Sequence, residues 1–74
     1  MTTSAKTLSN ESLIHRVSDM ILDDSKLEDA MRKWGASFNL DATMARRLFA
    51  KMIILGTVKI HPDHPISHLL NNNQ

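Results

Sequence analysis

The sequence predicts a mainly α fold, three helices followed by a short extended C-terminal arm, and three observations carry that expectation. Apolar side chains recur at helical spacing in two separate segments, Leu13 to Ile21 and Leu27 to Trp34. Residues that cap helices stand before each predicted helix, at Ser9, at Ser25 and at Asn39 or Asp41. The β-branched segment is short, Thr57 to Ile60, with Val58 and Ile60 alternating, which suits a single strand or an extended arm.

Each element has its own signals. Residues 1–8 have the composition of a disordered tail, and 9–70 read as one helical domain. Ser9 caps the first helix, and Leu8 with Leu13 forms the pattern of a hydrophobic staple across it. Leu13, Ile14, Val17, Met20 and Ile21 make the apolar face, opposite Ser12, His15, Arg16 and Asp19, and the helix ends near Leu22. Ser25 and Glu28 form a capping box for the second helix, in which Leu27, Ala30, Met31 and Trp34 face inward. Gly35 stands where a C-terminal cap is expected, and Gly56 stops the third helix. Pro62 and Pro65 interrupt any regular continuation, Ile66 to Leu70 suit one more helical turn, and 71–74 look frayed.

At 74 residues the chain is a single domain near the lower limit at which one core suffices, so a second subunit would add much. It has no cysteine, hence no disulfide or thiolate chemistry. No apolar run resembles a secretion signal or a membrane span, and the expected location is cytoplasmic, with no membrane partner. The net charge of +1 conceals a division: residues 1–31 hold three basic against six acidic side chains, and 32–74 hold six basic against two acidic. A basic half points toward an anionic partner such as nucleic acid.

The stretch from Leu40 to Ile60 is the most informative. Asp41 to Arg47 is polar and ends in paired arginines, whereas Leu48 to Leu55 is apolar nearly all round apart from Lys51. A helix without a polar face is expected to be buried. Setting Leu48, Met52 and Leu55 toward the core leaves Ile54 exposed on the face of Arg47 and Ala50. Together with Phe49, Val58 and Ile60, Ile54 would then form an apolar interface for a homodimer or another protein partner.

The order helix, turn, helix, short apolar segment resembles helix-turn-helix and winged-helix DNA-binding regulators over residues 25–60. Leu27 to Trp34 correspond to the supporting helix, Asp41 to Leu55 to the recognition helix and Thr57 to Ile60 to a first wing strand. The connection from Gly35 to Asp41 is longer than in the simplest such motif, and the sequence HPDHP replaces a second wing strand. The resemblance implies that Thr43, Arg46, Arg47 and Ala50 face DNA, with Arg32, Lys33 and Lys51 on phosphates. The chain is thus expected to be a small DNA-binding transcriptional regulator or, alternatively, a helical adaptor or anti-regulator acting through its apolar surface.

Other groups carry less. His61, Asp63, His64 and His68 are chemically suitable metal ligands, but their spacing matches no metal motif and the prolines account for a rigid turn, so no metal or other cofactor is expected. Without a cysteine nucleophile or a glycine-rich phosphate loop, an enzyme is not expected either. Met20, Met31, Met44 and Met52 suit flexible core filling, and Trp34 a core anchor.

Overall fold

The computed structural model describes residues 9–72. The fold is mainly α, with α1 (Asn10–Leu22), α2 (Ser25–Ser37), α3 (Ala42–Leu55) and α4 (Pro65–Asn72). No strand occurs among the described residues: Thr57 to His64 form an irregular arm, whose end winds into α4, a longer helix than the single turn expected. Asn71 and Asn72 belong to that helix; the proposed tail, the Leu8 half of the staple, Asn73 and Gln74 lie outside the described residues.

The caps explain where the helices begin. Ser9 Oγ accepts from the Ser12 N–H, and Asp41 Oδ1 accepts from the Met44 N–H. For α2 the cap is Asp24, not Ser25: Asp24 Oδ1 accepts from both the Lys26 and Leu27 N–H groups, and Ser25 is the first helical residue. A carboxylate satisfies two orphan donors and places negative charge at the positive end of the helix, which a serine hydroxyl cannot match.

The ends differ in a more informative way. Gly56 takes φ 86°, and the Thr57 N–H closes back on the Met52 carbonyl, the glycine-dependent stop expected. Gly35 instead lies inside α2, which runs on through Ser37. There Asn39 supplies the left-handed residue, at φ 58°, and the Leu40 N–H bonds the Gly35 carbonyl. Asparagine tolerates that conformation. Gly35 is small for another reason: a Cβ there would stand 2.5 Å from the Ala45 Cβ, so α2 and α3 cross with almost no side-chain spacing.

One core joins all four helices. Leu13, Ile14, Val17 and Ile21 of α1 meet Met31 of α2, Ala45, Phe49, Ala50 and Ile53 of α3, and Ile66 of α4. Trp34 is only half-buried and sits against Phe38 and Phe49, with ring centroids 5.5 and 5.9 Å away. Ala30 is exposed. The start of α1 lies beside the end of α3, and Ile14 to Asp19 beside Thr43 to Arg47, so α1 and α3 are antiparallel neighbours.

His64 ties the last helix to the second. Its Nδ1 accepts from the Ile66 N–H, so Nε2 carries the proton and donates to Asp24 Oδ2 at 2.7 Å. This contact, followed by the backbone donors of α2, holds the Asp24 carboxyl below the ordinary aspartate value. A lowered carboxyl contributes stability that is complete above about pH 4 and is lost as pH falls through the lowered folded value. Asp24→Asn is accordingly expected to flatten the acid limb of the stability profile below about pH 4. Urea titrations of both proteins across that range check it, and parallel profiles would remove Asp24 from the account.

Candidate functional site

The basic residues expected on DNA do not form one open surface. Arg32 and Lys33 are exposed on α2, each beside an acidic residue one turn earlier, Glu28 at 3.9 Å and Asp29 at 3.1 Å. Arg47 on α3 is hydrogen-bonded to Glu11 of α1. That contact, with the Arg47 charge and a smaller contribution from Lys51, holds the Glu11 carboxyl below its ordinary value. Pairs this exposed contribute little to stability, but each carboxylate engages its cation and offsets that charge toward an outside anion.

Thr43, Arg46 and Arg47 do come together, along a groove of about 310 Å³ whose other wall is α1, with His15, Ser18 and Asp19. Thr43 is exposed and Arg46 half-buried; the Arg46 Nε is buried without a hydrogen-bond partner among the described residues. Ala50, placed toward DNA by the family resemblance, is fully buried. The physical reason is the rotation of α3: its core face is Ala45, Phe49, Ala50 and Ile53, and α1 covers the side holding Thr43, Arg47 and Ile54.

The same rotation dissolves the expected apolar interface. Phe49 is a core residue at 4% exposure, and Ile54, Val58 and Ile60 are half-buried against the core rather than presented as a patch. In their place the structure exposes residues assigned to the interior. Leu55 is 79% exposed and Met44 47% exposed, while Leu48 and Lys51 are half-buried between them. At 3.6 residues per turn these four fall within about 60° of arc, a continuous stripe along the solvent side of α3. Steps of four, three and four residues were the available signal, but an apolar helix offers such a stripe in more than one direction. Phe38, 62% exposed beyond the end of α2, leans on Trp34 and presents the rest of its ring to solvent.

The histidines serve the arm. His61 Nδ1 accepts from the Asp63 N–H, the His61 carbonyl accepts from Ser67 Oγ, and His64 is engaged at both ring nitrogens. Among the described residues no three His, Cys, Asp or Glu side chains converge as a metal site would require. No helix among the described residues is long and apolar enough to cross a membrane. Compared with protein-family models, curated proteins and solved structures, the chain matches none of them.

Proposed function

We infer that the chain is a small helical interaction module that engages a partner helix through the outward stripe of α3. The observation that carries this reading is the exposure of Leu55 and Met44 at the two ends of one seam, with Leu48 and Lys51 between them. Exposed apolar side chains aligned along a helix, rather than scattered, are what helix-in-groove and helix-on-helix recognition use. Leu55→Glu and Met44→Glu change only solvent-facing positions, so their thermal melts are expected to match the parent's. Affinity capture with the parent and the two variants, at moderate and at high salt, tests the reading. A species held by the parent at both salts and lost by the variants supports it. If nothing bound, a second copy of the chain included, differs between them, the stripe is not an interface.

Nucleic-acid binding is the second reading, favoured by the groove that gathers Thr43, Arg46 and Arg47 and leaves Arg46 Nε unpaired. There two guanidiniums and a hydroxyl could hold a phosphate, although Asp19 on the facing wall opposes it. This reading expects anisotropy of a labelled random duplex to report micromolar binding that weakens steeply with salt as counterions are released. Arg46→Ala with Arg47→Ala is expected to remove that binding while leaving the melt nearly unchanged. Salt-insensitive binding, or none at low salt, excludes this reading.

A further inference from the structure

A single imidazole joins the N-termini of two helices. α4 starts at Pro65, a residue suited to the first helical position, and His64 stands before it as the cap. The His64 carbonyl accepts from the His68 N–H at 3.1 Å, and its Nδ1 accepts from the Ile66 N–H at 3.0 Å. At the other side of the ring, Nε2 donates to Asp24 Oδ2 at 2.7 Å. Asp24 Oδ1 in turn caps α2, accepting from the Lys26 and Leu27 N–H groups at 3.0 and 3.1 Å. Only a neutral ring completes this chain of bonds, because an imidazolium has two donors and no acceptor. We propose that protonation of His64 at Nδ1 uncaps α4 while the ring stays on Asp24, so that the last helix and the arm before it loosen locally in mild acid.

The two contacts of the ring respond to the proton in opposite ways. The bond to Asp24 becomes charge-assisted and strengthens. The Ile66 N–H meets a second N–H instead of a lone pair, and a positive charge stands at the positive end of α4. Asp24 stays ionised in mild acid, since its carboxyl is held below the ordinary value by this same contact first and by the α2 donors after it. Asp23, in the same turn, adds negative charge on that side of the ring. His61, Asp63 and His68, along the arm and α4, are exposed to solvent. The first turn of α4 is therefore the side that yields. Its Ile66 side chain is buried in the core, which confines the opening to that turn. Ser67 carries the effect to the arm: its hydroxyl donates to the His61 carbonyl at 2.7 Å, and it lines a groove with Val58 and Ile60. The device operates whichever face of α3 meets a partner.

NMR of the full chain between about pH 7.5 and about pH 5, the range in which imidazole side chains ordinarily titrate, tests the proposal. At the upper end the ring nitrogen shifts are expected to show a protonated Nε2 and a bare Nδ1. As pH falls, the Ile66 amide resonance is expected to move with the His64 ring resonances. Exchange protection of the Ile66 and His68 amides should drop by roughly 2- to 30-fold, the range of a lost helix cap, while α1 to α3 keep theirs. His64→Asn supplies a side-chain acceptor that does not titrate, and α4 should then stay equally protected across the range.

A proton on Nδ1 at the upper end overturns the bonding scheme. An Ile66 amide that ignores the His64 titration overturns the switch, and both of these readouts need the parent protein alone. Equal loss of α4 protection in His64→Asn protein, or loss spread evenly over all four helices, overturns the assignment of the effect to the cap of α4.

Discussion

Replacing Phe49 by alanine is expected to cost about 3–5 kcal/mol, most of the stability available to a domain of this size. The ring is 4% exposed and lies between α3 and Trp34 of α2, so its removal leaves a cavity at the junction of helices rather than at the surface. Each kcal/mol moves the midpoint of a small domain by several degrees, and the melting temperature should fall by on the order of 20 °C. Far-UV circular dichroism melts measure this directly. Phe38→Ala is the control: that ring is 62% exposed, and its loss is expected to cost no more than about 1 kcal/mol. Were the two variants to melt together near the parent, the face of α3 turned to the core would be a different one.

The second large effect concerns Gly35. A Cβ there meets the Ala45 Cβ at 2.5 Å, and neither methyl has a rotamer by which to escape, so the backbones of α2 and α3 must separate. Gly35→Ala gains about 1 kcal/mol of helix propensity and loses roughly 1–3 kcal/mol to overpacking, a small net destabilisation. Gly35→Leu has the same propensity advantage but must displace Ala45 altogether, and its cost is expected at or above the upper end of that range. Chemical denaturation of Gly35→Ala with and without Ala45→Gly separates the two contributions in a double-mutant cycle. Removing the Ala45 methyl should recover the propensity gain. An Ala45→Gly change that adds only its own cost in both backgrounds would show that the two positions are not in contact.

These expectations bear on different parts of the functional account. Loss of Phe49 disturbs the core and would abolish any activity of α3 without locating it. Leu55→Glu and Met44→Glu alter only what α3 shows to solvent, and the Arg46 and Arg47 changes alter only the groove beside α1. A stable Leu55→Glu protein that no longer finds its partner, beside a stable double arginine variant that still does, would assign function to the stripe. The reverse pair of results would assign it to the groove.

The sequence by itself determined where most of the helices lie. Ser9, Asp41 and Gly56 act through bonds to groups within a few residues, so caps and stops are decided locally and can be seen in one dimension. The core face of α1 was equally legible, because Leu13, Ile14, Val17 and Ile21 recur on one side of the helix; only Ser18, buried among them, and Leu22, exposed, depart from the pattern. For α2 the capping-box pattern pointed to Ser25, one residue too late; the cap is Asp24, whose second oxygen is held by His64, forty positions away.

Only the tertiary structure decided the orientation of α3. That helix is apolar nearly all round, so turning it about its axis changes its burial little from the standpoint of composition alone. The close contact of Ala45 with Gly35, where a Cβ would stand 2.5 Å from the Ala45 methyl, goes with the rotation that turns Phe49, Ala50 and Ile53 inward. Leu55 and Met44 are left in water by the same rotation, and Arg47 is brought to Glu11. Hydrophobic spacing specifies that a helix has a buried face; when several faces would serve, shape complementarity with the neighbouring helix selects one.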